Sequence, residues 1–455
     1  MHLKTKLLTT ILFPLSCLAH AAPGITPFSS TIEQFTQKSV IQSDWTFIVY
    51  MAADNDLDYF ARRNLEQLKA VGSNENISIV VQLDRHGAHE HTKRLYVTKG
   101  QLYQMNAHDI TAQQKLNSGS AQTLIDCCEW AIKNFPAKHY ALVLWNHGIG
   151  ILDSIRSKTT NASELFTFNP SNHMLELDRS VGFFDFLERK SHEEERRGVC
   201  FSDTYGSYLT NQKIDFALKT ICEKYLYKKF DIIAFDACLM SMVEVASLIR
   251  PYANIMVASE EVELGTGWPY DAILAPFEKQ TLSPEEFGLQ IVNAYAKHYH
   301  SITKDFTQAA TNLSSIELVE KNVNQVSTLL LEALQFQKSY SVKRAIQASR
   351  SKRTCTYFSE PSYIDLHHFY SNLLESLEFV SLEEQGLQLL PLLKQRLHEG
   401  LTLIELSLIA NATGENLTRA KGLSIYFPLR SIDPSYNQTS FANATRWVEL
   451  IKAVM

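Results

Sequence analysis

Several motifs that commonly identify an enzyme are missing from this 455-residue chain. It contains no H-E-x-x-H, G-x-S-x-G, P-loop or G-x-G-x-x-G sequence. Their absence removes the usual signatures of zinc proteases, serine hydrolases and nucleotide-binding proteins. The net charge is −6 and no basic stripe is visible, which argues against nucleic acid as a partner.

Cysteine is scarce and does not form a framework pattern. Of seven cysteines, the first, Cys17, falls in the apolar leader, and six in the remaining chain are too few for a disulfide scaffold. There is no C-x-x-C, so structural zinc is not indicated. Cys127 and Cys128 are adjacent in a predicted helix, where they are expected to be small buried groups. Cys17 suggests a lipoprotein alternative, but Pro14 stands where an aliphatic residue is expected.

The N-terminus predicts a signal peptide. Lys4 and Lys6 precede a mostly apolar stretch, residues 7–18, and a small-x-small cleavage site ends at Ala21. The apolar stretch is too short to span a membrane, and no later window approaches about 20 uncharged apolar residues. We therefore predict cleavage of residues 1–21 and a mature protein that is secreted or periplasmic, with no membrane partner.

Two apolar runs each stop at a reactive residue. Residues 142–145 lead into Asn-His147-Gly148, and residues 230–235 lead into Asp-Ala-Cys238. Continuous apolar runs are typical of parallel strands covered on both faces, and ligands bind beyond the carboxyl ends of such strands. A histidine and a thiol at two such ends suggest a cysteine–histidine nucleophile pair, 91 residues apart in sequence.

The chain alternates between strand-like and helix-like segments, which predicts an α/β fold with a mostly parallel sheet covered by helices on both faces. Strands are predicted at 45–51, 77–83, 140–145, 230–235, 255–259 and 422–427, and helices at 57–71, 121–135, 214–225, 239–249, 316–334 and 382–398.

We predict four regions after the signal peptide. Residues 22–43 form an N-terminal extension and residues 44–290 a catalytic domain. Residues 151–198 interrupt the alternation as a polar insertion, which is usually functional or disordered. Residues 291–455 form an additional C-terminal α+β region. A monomer is expected.

The two strand ends resemble the signatures of the clostripain family of cysteine peptidases, within the wider group of caspases, legumains and gingipains. Asn146-His147-Gly148 and Asp236-Ala237-Cys238-Leu239-Met240 carry the resemblance, although the family more often has glycine at position 146. Three further segments are similar: residues 50–57, residues 257–270 and residues 422–428. The similarity covers roughly residues 44–455.

The resemblance implies a caspase-like sheet, with His147 as general acid/base and Cys238 as nucleophile. It also implies cleavage after Arg or Lys, with Asp236 lining the primary specificity pocket and Ser259 contributing to substrate binding. A carboxylate at a pocket floor would pair with a basic side chain and discriminate strongly against neutral ones. The alternative for Asp236 is a helix cap or turn-stabilising residue.

Two expectations about the reacting groups follow from general chemistry. Residues 239–249 are predicted to be helical, so Cys238 would lie near a helix N-terminus, which favours the thiolate. The N–H groups of Gly148 and Cys238 could bind the oxyanion of a tetrahedral intermediate.

No cofactor is required by the sequence. Residues 54–58 have the alternating carboxylates of a calcium loop but lack its glycine and terminal glutamate. They precede a predicted helix, so capping is the favoured interpretation. Clostripain is calcium-dependent, and the resemblance therefore keeps a calcium site possible, at no assigned position.

The sequence thus predicts an exported cysteine endopeptidase that acts on peptides or proteins with basic residues and possibly processes itself. Two alternatives stay open. One is a peptidase or transpeptidase of the same fold with non-basic specificity, which would not use Asp236 in this way. The other is a non-catalytic binding protein, which would need neither His147 nor Cys238.

Overall fold

A computed structural model describes residues 25–27, 43–87, 89–106, 114–153, 162–185, 199–336, 339–383, 386 and 388–455. The signal peptide and much of the 151–198 insertion lie outside the described residues. No helix in the described part of the chain is both long and apolar enough to cross a membrane.

One large sheet organises the molecule. The strands of the described chain are β1 (Ile25–Pro27), β2 (Ser43–Ala53), β3 (Ile77–Arg85), β4 (Lys93–Thr98), β5 (Gln101–Gln104), β6 (Ala137–Trp145), β7 (Phe166–Asn169), β8 (Met174–Leu177), β9 (Val199–Ser202), β10 (Ser207–Leu209), β11 (Phe230–Asp236), β12 (Ala253–Ala258), β13 (Thr307–Asn312), β14 (Tyr363–Asp365), β15 (Leu408–Thr413) and β16 (Ser424–Tyr426).

Ten of these strands form the main sheet, in the order β1-β5-β4-β3-β2-β6-β11-β12-β13-β15. The central five, from β3 to β12, are parallel to one another. Their residues are almost entirely buried, as expected for strands that helices cover on both faces. The outer pairs β3–β4, β4–β5, β12–β13 and β13–β15 are antiparallel.

The helices form two groups. The described α-helices are α1 (Asp58–Val71), α2 (Ala121–Asn134), α3 (Asn211–Ile221), α4 (Val243–Ile249), α5 (Tyr270–Leu274), α6 (Pro284–Tyr299), α7 (Ile316–Ala333), α8 (Tyr340–Ser349), α9 (Leu366–Ser376), α10 (Leu389–Ser407), α11 (Ser440–Ala444) and α12 (Trp447–Val454). In the first group, α5 contacts both α1 and α6. In the second group, α2 contacts α3, α3 contacts α4, α4 contacts α7 and α7 contacts α10. This confirms the predicted mostly parallel sheet between helical layers.

Most predicted elements match the structure to within a few residues, but two helices do not. The helix predicted at 382–398 is α10, which begins and ends later, at Leu389 and Ser407. The other is α4. The prediction began this helix at residue 239, and the structure begins it at Val243. Leu239 has φ of 64°, and the N–H groups of Ser241 and Leu239 donate to Ser259 and Glu261 of the neighbouring loop. These contacts hold the chain in a turn after the strand, so it cannot enter a helix there.

The predicted end of the catalytic domain also differs from the structure. Helix α6 crosses the domain boundary predicted at residue 290, and β13 and β15 continue the main sheet beyond it. Within the insertion, β7 and β8 form an antiparallel hairpin, and Phe183 and Phe184 are buried. The described part of the insertion is therefore packed against the body of the protein.

Candidate active site

The register of β6 and β11 brings His147 and Cys238 to the same place. Trp145 pairs with Asp236 in the ladder, and the N–H of Asn146 donates to the carbonyl of Asp236 at 3.2 Å. His147 and Cys238 each follow this registered pair by two residues. Both line one small cleft beyond the carboxyl ends of the strands. The predicted meeting of base and thiol is thus present in the backbone pairing itself.

Gly148 is required by a close approach of the two strand ends. A Cβ atom at this position would lie 2.3 Å from the carbonyl oxygen of Cys238 and 3.1 Å from its nitrogen. No real Cβ tolerates the first distance, so any other residue would push the two turns apart. The contact places the Gly148 backbone directly against that of the proposed nucleophile.

The Cys238 side chain is buried, with 5% of its surface exposed. Its Sγ accepts a hydrogen bond from the N–H of Glu263 at 3.2 Å. Burial raises the thiol pKa well above its usual value, and the nearby Glu263 and Glu261 carboxylates raise it further. The predicted thiolate-favouring helix dipole is wrong, because α4 begins five residues downstream. The thiol is neutral here and needs a base to lose its proton.

His147 has a partner that the sequence did not reveal. Its Nε2 lies 2.7 Å from Oδ1 of Asp56, in the turn between β2 and α1. The imidazole is largely buried, with 12% of the side chain exposed, while 34% of the Asp56 side chain is exposed. The histidine is therefore tethered by one ring nitrogen to a carboxylate on a third strand end.

Asp236 lies in the same cleft and is buried. Its Oδ2 accepts hydrogen bonds from the hydroxyl of Tyr270 at 2.7 Å and from the N–H of Trp268 at 3.3 Å. Burial raises its pKa to about 6. A Cβ atom on Gly267 would approach both carboxylate oxygens to 3.0 Å, so this glycine keeps the space above Asp236 free.

Glu263 is a second buried carboxyl in the cleft, and the sequence analysis did not single it out. Burial, followed by repulsion from Asp236, raises its pKa well above the ordinary value. Its polar neighbours are the side chains of Asp236, Trp268 and Gln308, none of which carries a positive charge. One signal could have found it: Glu263 is an acidic residue flanked on both sides by apolar ones, Val262 and Leu264.

The cleft is nearly closed. Its volume is about 20 Å³, roughly the space of one water molecule. Ala162, from the described part of the insertion, contributes to its lining, and the neighbouring Ser163 accepts a hydrogen bond at Oγ from the N–H of Gly265 at 2.8 Å. A Lys or Arg side chain does not fit until this segment or the facing loop moves.

Ser259, predicted to bind substrate, is fully buried. Its Oγ donates to the carbonyl of Glu261 at 2.9 Å and lies 2.9 Å from the hydroxyl of Thr307. It is not among the described residues that line the cleft. This geometry favours a role in shaping the loop that carries Glu261 and Glu263, not contact with substrate.

Each acidic residue of the 54–58 segment is engaged by protein groups. Asp54 accepts from Ser202 Oγ at 2.6 Å and lies 3.0 Å from Lys115 Nζ. Asn55 Oδ1 accepts from the N–H of Leu57, and Asp58 pairs with Arg85. The oxygens therefore diverge instead of surrounding a common point, and no cluster suited to a metal is found in the described chain.

The chain also resembles known proteins in sequence and in fold. The model of the clostripain family matches residues 49–176 and 185–451. Clostripain of Hathewaya histolytica is 23% identical over 269 residues, which cover 53% of this chain and 44% of that protein. The match thus spans less than half the length of this curated relative.

Two solved structures share the fold. A secreted C11 cysteine protease from Bacteroides thetaiotaomicron, in complex with an irreversible peptide inhibitor, superposes with a TM-score of 0.57 at 18% identity, covering 90% of this chain and 100% of that one. An inactive zymogen C11 protease from Parabacteroides distasonis also gives 0.57, at 20% identity, with 89% and 98% covered.

Proposed function

Because this chain belongs to the clostripain family, we propose that it is an exported cysteine endopeptidase that cleaves peptide bonds after Arg or Lys. The observation that carries the proposal is the content of the cleft. His147 and Cys238 face it together with two buried carboxyl groups, Asp236 and Glu263. His147 and Cys238 would act as the nucleophile pair, and Asp236 and Glu263 would bind a basic side chain of the substrate.

In the proposed mechanism His147 removes the proton of the Cys238 thiol as the sulfur attacks the carbonyl carbon after the basic residue. The N–H groups of Gly148 and Cys238 stabilise the resulting oxyanion. His147 returns the proton to the leaving amine, which leaves a thioester on Cys238. Water, activated by His147, then hydrolyses the thioester.

Specificity for Arg or Lys is proposed because Asp236 and Glu263 have no basic side chain beside them in the cleft. The described residues that line the cleft include no lysine or arginine. Burial raises the pKa of both groups, so a negative charge on either of them is costly in the free protein. A substrate guanidinium or ammonium would form an ion pair with either carboxylate, whereas a neutral side chain could not.

Export is supported by the N-terminal signal pattern, and one similar structure is described as a secreted protease. Of the alternatives, a transpeptidase would share the mechanism up to the thioester. A peptidase of non-basic specificity has no use for two buried carboxyls at the pocket floor, and a binding module has no use for the thiol and imidazole.

The proposal is tested by measuring turnover of short peptides that differ only in the residue before the scissile bond. We expect Arg and Lys peptides to be cleaved and neutral ones to be cleaved far more slowly. Cys238→Ala and His147→Ala should each abolish hydrolysis while retaining the fold. Cys222→Ala, which removes a partly exposed thiol elsewhere, is the matched control. A folded Cys238→Ala protein with near-normal turnover would refute the mechanism.

We also propose that the enzyme processes itself within the 151–198 insertion. The closed cleft and its contact with Ser163 support a cover that cleavage could release. Among the basic residues there, Arg179 is held at 2.8 Å by Glu261 and at 3.3 Å by Asp305, so it is a poor substrate. The other candidates lie outside the described residues: Arg156, Lys158, Arg189, Lys190, Arg196 and Arg197.

Mass spectrometry after incubation tests self-processing. The wild-type chain should yield two fragments with a new end after one of those six residues, and Cys238→Ala should stay intact. Wild-type protein that remains uncut yet fully active would show that the insertion is not an activation segment.

A further inference from the structure

We propose that Asp56 is a positioning residue for catalysis, which holds the His147 imidazole in the tautomer that presents Nδ1 to the reacting groups. The inference rests on the proposed peptidase function and adds a third member to the pair of His147 and Cys238. It starts from the 2.7 Å contact between His147 Nε2 and Asp56 Oδ1.

Asp56 stands on a turn that is fastened on both sides. Asn55 Nδ2 donates to the carbonyls of Ala52 at 3.1 Å and Phe201 at 3.0 Å, and its Oδ1 accepts from the N–H of Leu57 at 3.0 Å. On the other side, both oxygens of Asp58 accept from Arg85 at 2.8 Å. The position of Asp56 is therefore set by its neighbours and does not depend on its own bond to His147.

The contact determines where the proton of the imidazole resides. A neutral imidazole has one N–H donor and one acceptor nitrogen, whereas an ionised carboxylate only accepts. A carboxylate at Nε2 therefore selects the tautomer with the proton on Nε2 and the lone pair on Nδ1. Since Nε2 is occupied by Asp56, Nδ1 is the nitrogen that remains to take part in proton transfer.

All proton transfer to and from the reacting groups then takes place at Nδ1 of His147. The proton leaves Cys238 Sγ for His147 Nδ1 while the sulfur electron pair forms a bond to the substrate carbonyl carbon and the carbonyl π electrons move to oxygen. Collapse of this intermediate breaks the C–N bond, and the departing amine takes the proton from Nδ1. The Nε2 proton stays between His147 and Asp56 throughout.

The surroundings of Cys238 explain why the imidazolium of His147 needs to be stabilised by Asp56. The thiol is buried and surrounded by the carboxyls of Asp236, Glu261 and Glu263, all of which oppose formation of a thiolate. The imidazolium of His147 is the compensating positive charge, because no lysine or arginine is among the described residues that line the cleft. Asp56 stabilises that imidazolium at a distance of one hydrogen bond.

The test compares Asp56→Asn with Asp44→Asn in the processed, active enzyme. Asparagine keeps the shape of Asp56 but removes its charge and can donate to Nε2, which favours the opposite tautomer. We expect kcat on an Arg peptide to fall by about 100-fold or more, with KM within about threefold of wild type. Asp44→Asn removes a carboxylate from the opposite end of β2, where it pairs with Lys138, and should leave kcat within about threefold of wild type.

A second readout is independent of turnover. In protein with ¹⁵N-labelled histidine, the His147 nitrogen shifts should report a proton on Nε2 in wild type and a shift of the population toward Nδ1 in Asp56→Asn. Wild-type kcat in a folded Asp56→Asn enzyme, or a wild-type His147 with its proton on Nδ1, would overturn the proposal. An inactive wild type with the expected tautomer change would instead overturn the peptidase function and leave the positioning role standing.

Discussion

Acidic side chains gather in two clusters beyond the strand ends of this protein, and the two clusters differ in whether basic side chains accompany them. At the end of β2, Asp54 faces Lys115, Asp58 faces Arg85 and Asp56 faces His147. At the ends of β11 and β12, Asp236 and Glu263 are buried with no cation among the described residues of their cleft. Carboxylates with a basic partner in the protein hold the fold or orient that partner, whereas those without one are available to a charged ligand.

Replacing Asp236 is expected to have the largest effect. Asp236→Asn should lower kcat/KM for Arg and Lys peptides by about 100-fold or more, about 2.7 kcal/mol of transition-state binding, because a desolvated charge pair is lost. Turnover of neutral peptides should change far less. Equal losses on basic and neutral peptides would contradict this assignment. Asp236 would then be a structural residue that only accepts hydrogen bonds from Tyr270 and Trp268.

Glu263 should contribute less, because Asp236 can still pair with the substrate in its absence. We expect Glu263→Gln to reduce kcat/KM for basic peptides about tenfold, about 1.4 kcal/mol. Its stability should be nearly unchanged, since the raised pKa keeps the buried carboxyl protonated in the free protein.

The matched control is Glu261→Gln, two residues away. Glu261 is fully buried and its Oε2 lies 2.8 Å from Arg179 Nη2. Removing its charge should lower the free energy of unfolding by about 2 kcal/mol, because a partly buried guanidinium loses its partner. Urea unfolding of both variants distinguishes the two carboxyls. A large loss of stability in Glu263→Gln would show that it, too, is structurally paired.

The smallest expected effect is a pH dependence of specificity. The pKa of Asp236 is about 6 in the free enzyme, so the carboxylate that pairs with Arg is lost as the pH falls through that value. The ratio of kcat/KM for an Arg peptide to that for a neutral peptide cancels the pH effects that the two peptides share. This ratio should fall about fourfold between about pH 7.5 and 5.5, and Asp236→Asn should abolish the decline.

The sequence predicted the parallel centre of the sheet well, because buried parallel strands are continuous apolar runs and their ends are marked by polar residues. It missed β4 and β5, which are short antiparallel strands without such runs. It also placed the start of α4 too early, since Leu239 and Ser241 are held by backbone bonds to residues distant in sequence. Tertiary contacts of this kind leave no local pattern.

The site was predictable to a similar extent. His147, Gly148, Cys238 and Asp236 follow strand ends and were found there, whereas Glu263 and Asp56 were not singled out. Three glutamates occur between residues 260 and 263, and three aspartates between residues 54 and 58. Which glutamate lines the cleft, and which aspartate contacts His147, depends on the direction of the chain after the strand, and periodicity does not report that direction.

The pairing of Trp145 with Asp236 makes catalytic competence a check on correct folding. A chain that joined β6 and β11 one residue out of step would displace the thiol relative to the imidazole by about 3.3 Å and reverse the faces of the sheet. Such a molecule would have the correct sequence but no peptidase activity. Every misregistered form of the chain would thereby be inert, without any separate inhibitor.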